Sequence, residues 1–241
     1  MKFPGNVLQR IDPPRGRLIC IGDIHGCYDE LIELLDRVAP KAADVVVSTG
    51  DIVRKGPQVA RCLELWRDRG YLAVIGNNEE KLLRFAESSR ARRLLLPPQD
   101  RKLLRRAELM EFVRGWPVAI DVPARNVTIV HGGLYPGMRV DGHDLGRAAM
   151  DVTRMRWIRR LDGQWQRAGR SKQRDADVLW AEVWDGPRTV VYGHTPLREP
   201  RVDARAIGLD TGCVYGGWLT AAIHDGTWRF ERVRAREKYA D

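Results

Sequence analysis

The first eighty residues alternate between short apolar runs and amphipathic stretches. Arg17 to Ile21 is a short apolar run followed by a Gly-Asp turn. Leu31, Leu34, Leu35 and Val38 recur at i, i+3, i+4 and i+7, the spacing of one helix face. Val45, Val46 and Val47 form a β-branched run that ends at Gly50-Asp51. Residues 58–69 read as a second helix through Val59, Leu63 and Trp66, and Leu72 to Ile75 is a third apolar run, ending at Gly76-Asn77. Strand and helix in alternation predict a parallel sheet with helices packed on it. After Glu79 the texture changes. Residues 81–114 hold ten Lys/Arg against four Asp/Glu, are broken by Pro97-Pro98, and read as two or three short helices. Short β-like runs return at 117–121, 126–130, 188–192, 206–209, 219–223 and 227–233. No linker is long enough to separate two domains, so the expectation is one domain over residues 1–241 with a basic helical cap inserted at about 81–116.

Composition narrows the class. A chain of 241 residues that is 44% hydrophobic and 30% charged is an ordinary globular protein rather than a disordered one. No uncharged apolar run is long enough to span a membrane, and the first six residues lack the apolar core of a signal peptide, so a cytoplasmic protein is expected. Cys20, Cys27, Cys62 and Cys213 fall at no zinc-finger or redox spacing and read as reduced thiols. The net charge of +9 calls for an anionic partner. Residues 152–174 form a second basic segment, with eight Lys/Arg and one acid, Asp162. The two basic segments together carry more surplus than the whole chain, so the remainder is slightly acidic. If they flank a cleft, they form a funnel for a multiply charged phosphate, which ranks a nucleotide or polyphosphate above long nucleic acid as the partner.

The candidate chemistry sits where the apolar runs end. Gly22-Asp23-Ile24-His25-Gly26, Gly50-Asp51, Gly76-Asn77-Asn78-Glu79, His131-Gly132-Gly133 and Gly193-His194-Thr195-Pro196 each follow such a run. Ligands of α/β sheets gather at strand C-termini. Asp, His and the Asn carbonyl oxygen are donors for hard-to-borderline divalent metals. One Gly-Asp after a strand is ordinarily a turn; five such ends in one chain are not a coincidence.

In order and spacing these five motifs, with Gly50-Asp51-x-Val53-x-Lys55-Gly56-Pro57 as the fullest, resemble the signature of the calcineurin-like metallophosphoesterases. The resemblance runs from residue 17 to about 220. It implies an α/β fold, a four-layer α-β-β-α sandwich of two mixed sheets, here with a basic helical insertion. It also implies two divalent metal ions: Asp23 and His25 on the first, Asp51 bridging both, and Asn77, His131 and His194 on the second. Mn²⁺ is the expected ion, with Fe or Zn as alternatives. A hydroxide bridging the pair would attack phosphorus in line.

Several positions depart from the phosphoprotein phosphatases of that group. Their Asp-Arg-Gly is replaced by Arg54-Lys55-Gly56, and the His of their Gly-Asn-His, which protonates the leaving oxygen, is replaced by Asn78. An amide cannot serve as that acid. An Arg that commonly follows a Trp before the last His motif is missing after Trp180, where the chain reads Ala181-Glu182. Lys55, Trp184-Asp185-Gly186-Pro187 and Asp210-Thr211-Gly212-Cys213-Val214-Tyr215-Gly216-Gly217 instead resemble the diadenosine tetraphosphatase (ApaH-like) branch. Two explanations of Asn78 stay open: a natural residue matched to a leaving group that needs no proton, or an introduced His→Asn change. Asn78 and Lys55 are thus the catalytic candidates, and Arg54 and Lys55 the candidate phosphate contacts. The expected activity is hydrolysis of phosphoanhydrides or phosphodiesters. A bacterial Ser/Thr protein phosphatase and a slow or inactive nucleotide-binding protein are the alternatives. His143 and His224 are weighed as replacement acids, and Trp116 or Trp157 as base-stacking rings.

Overall fold

The computed structural model describes residues 7–12, 15–169, 171–172 and 174–241. The six N-terminal residues, and Arg170 of the second basic segment, lie outside the described residues. In chain order the strands are β1 (Leu8–Arg10), β2 (Leu18–Ile21), β3 (Val45–Ser48), β4 (Leu72–Ala73), β5 (Ala119–Val122), β6 (Val127–Val130), β7 (Trp157–Leu161), β8 (Gln164–Gly169), β9 (Val178–Leu179), β10 (Thr189–Tyr192), β11 (Arg201–Val202), β12 (Ala206–Gly208), β13 (Trp218–His224) and β14 (Trp228–Arg234). The α-helices are α1 (Tyr28–Val38), α2 (Val59–Asp68), α3 (Asn77–Ala86), α4 (Arg90–Arg93), α5 (Pro98–Leu103), α6 (Ala107–Arg114), α7 (Gly142–Val152) and α8 (Trp180–Val183).

Two mixed sheets face each other. One has the order β1-β5-β6-β10-β12-β11, the other β14-β13-β2-β3-β4. Strands β2, β3 and β4 run parallel, as do β6, β10 and β12, while β13 closes on β2 antiparallel. The run Leu18–Ile21 is apolar at every position because both faces of β2 are covered. Leu18 and Cys20 join Val47, Ile120, Ile129 and Val191 between the sheets. Ile19 and Ile21 point the other way, into a cluster with Leu31, Leu34, Leu63 and Trp66 of α1 and α2. The observed layers are those of the α-β-β-α sandwich.

The helical segment between β4 and β5 is longer than the sequence suggests. It holds four helices, α3 to α6, and the first begins at Asn77, inside the motif read as a loop. Leu96, Leu103, Leu109 and Val113 pack into the same apolar cluster as α2. Helix α7 and a third, small sheet of order β8-β7-β9 were not expected from the sequence. Among the described residues no helix is long and apolar enough to cross a membrane. All four cysteines are buried and free.

Asp44 pins the turn into β3. It accepts from the backbone N–H of Arg17 (2.7 Å) and Lys41 (2.8 Å) and from the Arg17 guanidinium (2.6 Å). Burial pushes its carboxyl up, but these donors outweigh it and hold its pKa down at about 2. A depressed carboxylate stabilises the fold above its unfolded value and loses that contribution as pH falls through the folded one. Asp44→Asn is therefore expected to cost roughly 2 kcal/mol near pH 7 and little near pH 2, measured by denaturant unfolding at both.

Candidate active site

Six strand ends meet at one cleft. The chain delivers Asp23 and His25 after β2, Asp51 after β3, Asn77 and Asn78 after β4, His131 after β6, His194 after β10 and Asp210 after β12. All nine residues singled out from the sequence gather here, with Arg54 and Lys55 on the turn after Asp51. Asp23, His25 and Asp51 each bring a donor atom within 4.8 Å of the others, and so do Asp51, His131 and His194. Asp51 belongs to both groups.

The turns that aim these side chains are strained. Among the described residues, eight non-glycine residues have a left-handed φ, and five of them are His25, Asp51, Arg54, Lys55 and His194. Each such residue costs about 1–3 kcal/mol and persists where its surroundings fix it. The approach is also close. A Cβ on Gly193 would lie 2.1 Å from Asp23 Oδ1, and one on Gly76 would lie 2.3 Å from Asp51 Oδ1. Glycine is required at both.

The imidazoles are held neutral. Burial lowers His25 to about 4 and pulls His131 and His194 down as well. His25 Nδ1 lies 3.0 Å from the Val53 carbonyl oxygen and His131 Nδ1 lies 2.8 Å from that of Thr49. A neutral ring donates to such an oxygen, which leaves Nε2 as a bare lone pair. In both rings Nε2 faces an Asp51 carboxylate oxygen at 3.4 Å. His131 Nε2 also faces Asn77 Oδ1 at 3.1 Å, one acceptor against another. Burial and mutual repulsion push the carboxyls of Asp23 and Asp210 up. Burial would raise Asp51 too, but the charge of Lys55 and the Asn78 backbone N–H, which donates to it at 2.9 Å, hold it low. Lone pairs and carboxylates converging on one another form a donor set that suits divalent cations.

Glu79 appears in a quoted motif, yet the sequence reading gave it no role. It is fully buried, and its carboxylate accepts the N–H groups of Asp51 and Gly76 at 2.9 Å and of Val53 at 3.0 Å. It holds the turn that carries Asp51. Burial, then the charge of Asp51, push its pKa up to about 8. Its place three residues after Gly76, at a helix start, was the available signal.

Asn78 is fixed by a chain of contacts. Its Nδ2 donates to Asp51 Oδ2 (2.5 Å), its Oδ1 accepts from Arg54 Nη1 (3.0 Å), and Arg54 Nε donates to Asp100 Oδ2 (2.9 Å). Asp100 comes from α5 and is 2% exposed. Arg54 is thus neither a solvated surface charge nor wholly free for phosphate. Lys55 Nζ lies 2.7 Å from both His25 Nε2 and Tyr215 Oη.

The cleft encloses about 540 Å³, and six cations line it: Arg54, Lys55, Lys81, Arg84, Arg154 and Arg156. Each basic segment of the sequence supplies only two of these. Arg106, Arg114 and Arg167 are spent on carboxylates at the surface, so most of the basic surplus is not a funnel. Arg154 and Arg156, with Asp210 and Tyr215, were not singled out as cleft residues. Among the described residues the buried Nε of Arg156 has no hydrogen-bond partner, while its Nη2 donates to the His194 carbonyl (2.6 Å). The remaining candidates lie elsewhere. His143 pairs with Asp144 on α7, His224 packs on Trp228, and Trp116 is 5% exposed against Phe112.

Comparison with known proteins agrees with this arrangement. Residues 16–222 match the calcineurin-like phosphoesterase family. A bis(5′-nucleosyl)-tetraphosphatase PrpE of Bacillus velezensis is 30% identical, over 83% of this chain and 86% of its own length. Serine/threonine-protein phosphatase 1 of Salmonella typhimurium is 29% identical over 92% and 99%. A solved structure provisionally described as a diadenosine tetraphosphatase superposes with a TM-score of 0.78 at 31% identity, covering 95% of this chain and 97% of that one. The chain belongs to the calcineurin-like phosphoesterases, hydrolases of phosphoric esters and anhydrides that work with a pair of divalent metal ions.

Proposed function

We propose that this protein cleaves phosphoanhydrides of the dinucleoside polyphosphate or polyphosphate type, and phosphodiesters with acidic leaving groups, by attack of water on phosphorus. The reading gives Asp23, His25 and Asp51 to one divalent cation and Asp51, Asn77, His131 and His194 to the other. The neutral imidazoles, the crowded carboxylates and the facing acceptors of His131 and Asn77 support that fit. Mn²⁺ suits such oxygen and imidazole donors, with Fe or Zn as alternatives. When bound, the pair supplies Lewis acidity to the phosphoryl oxygens and lowers the pKa of water.

The chain's own residues do the rest. His25 Nε2, which Lys55 now contacts, would hold the first cation, and Lys55, kept in the cleft by the Tyr215 hydroxyl, would then serve the substrate phosphate. The guanidinium groups of Arg54 and Arg156 line the cleft and are offered to phosphate oxygens. Arginine recognises these more directionally than lysine does.

One observation carries the choice of substrate. Position 78 offers an amide locked between Asp51 and Arg54, so no side chain there can protonate a departing oxygen. A phosphate leaves as a stable anion without a proton, whereas a serine alkoxide does not. The tetraphosphatase names of the relatives agree with this. The Salmonella relative favours a second reading, a Ser/Thr protein phosphatase. The Mn²⁺-loaded protein should be offered diadenosine tetraphosphate, polyphosphate, p-nitrophenyl phosphate, its bis-ester and a phosphopeptide. Cleavage of the phosphopeptide alone overturns the proposal.

Gly193→Ala tests the geometry. The new Cβ displaces Asp23, whose carboxylate also accepts the His194 N–H at 3.1 Å. Half-saturation by Mn²⁺, read from an activity titration, is expected to rise about tenfold or more.

A further inference from the structure

A second groove of about 520 Å³ adjoins the cleft, and the two share Pro196 and Tyr215. Its size is in the range of small-ligand pockets and sufficient for a nucleoside. Its floor is the glycine-rich turn that follows Asp210. A Cβ on Gly217 would meet the Thr211 carbonyl oxygen at 2.1 Å, so the turn closes on itself only with glycine there. Its walls are flat and cationic. Tyr215 is 36% exposed, and the half-buried Trp218 carries the guanidinium of Arg234 at 5.3 Å from its ring centroid. A second guanidinium on Trp218, that of Arg232, is neutralised by Glu199. Arg234 and Arg198 are exposed and have no carboxylate partner among the described residues.

We infer that this groove is the subsite for the nucleoside end of a nucleoside polyphosphate. The inference rests on the anhydride reading of the cleft. Aromatic rings and the planar guanidinium of an arginine are the surfaces on which bases stack, with no need for a particular base. Trp218 and Arg234 form one such stack, and Tyr215 offers a second ring at the mouth. Arg198 takes the charge of the phosphate nearest the ribose. The polyphosphate then runs past Pro196 and Tyr215 towards Asp51. Lys55 marks the junction, because its ammonium contacts the Tyr215 hydroxyl at 2.7 Å while lining the cleft. The groove therefore selects a nucleoside-capped chain of phosphates over a bare one.

The test compares kcat/KM for diadenosine tetraphosphate and for inorganic tetraphosphate, using the full Mn²⁺-loaded chain and its Arg234→Ala and Trp218→Ala variants. Arg234 is exposed at the end of β14, so its truncation spares the fold. The parent chain is expected to prefer the nucleoside compound. Either variant should lower that preference about tenfold, through KM for diadenosine tetraphosphate. An unchanged preference in both variants, or none in the parent chain, overturns the inference and leaves the anhydride reading standing. Cleavage of neither compound, with a phosphopeptide cleaved instead, removes that reading and the subsite with it.

Discussion

Asp51→Asn is expected to remove hydrolysis almost entirely, lowering kcat/KM by about 10³-fold or more. Asp51 is the one residue common to both donor groups, and its two oxygens face Nε2 of His25 and of His131 at 3.4 Å each. An amide of the same shape keeps one acceptor, sets N–H groups against part of that space, and removes the negative charge that two cations would share. A metal clamp is worth several kcal/mol of transition-state stabilisation, and each 1.36 kcal/mol is a decade of rate. Metal content should fall below two ions per chain, measured by elemental analysis after dialysis. A variant that keeps both ions and full activity would show that Asp51 bridges nothing.

The second large effect concerns the missing acid. Asn78→His alone is expected to gain little activity on a phosphoserine peptide. The new imidazole would sit beside the Arg54 guanidinium, 3.0 Å from the present side-chain oxygen, and a neighbouring cation disfavours the protonated ring. An imidazole held neutral donates no acidic proton. A carboxylate in place of that cation favours the protonated ring, so Arg54→Asp must accompany Asn78→His. Asp100 then loses its own partner, and a buried carboxylate left unpaired costs about 3–5 kcal/mol. The triple change Arg54→Asp, Asn78→His, Asp100→Asn is therefore the coherent one. It is expected to raise kcat on the phosphoserine peptide by about 10²-fold over Asn78→His alone, the usual contribution of a general acid. Equal rates in the single and triple variants would show that Arg54 does not set the protonation of position 78.

Much of this was legible in the sequence because its signal is periodic. The runs of β2 and β3 and the faces of α1 and α2 are apolar at strand or helix spacing, and they are where the periodicity puts them. The strand-end motifs were legible because each metal-type donor is flanked by a glycine that the close approach requires. What escaped lacks such a pattern. Strand β8 is largely exposed and polar, and only the Asp162-Gly163 turn, with left-handed φ at both residues, announces its hairpin. In α7 the buried face is Leu145, Ala149 and Val152, diluted by Gly142 and Gly146. The pairing of Arg54 with Asp100 joins residues 46 positions apart, across a helical insertion whose packing no local rule describes. The basic surplus misled for a related reason. Counting charges along the chain says nothing of which face of a helix they occupy, and most of these face outward.

The central claim is that the site works without a proton donor at position 78. The most direct test is the dependence of kcat/KM on leaving-group pKa, using the Mn²⁺-loaded chain and a series of substituted aryl phosphates extended to an alkyl phosphate. An enzyme with a general acid compensates for a poor leaving group, and one without it does not. The rate is expected to fall steeply and without a break as the leaving group becomes more basic. A flat dependence, with the alkyl phosphate cleaved about as fast as the most acidic aryl phosphate, would contradict it.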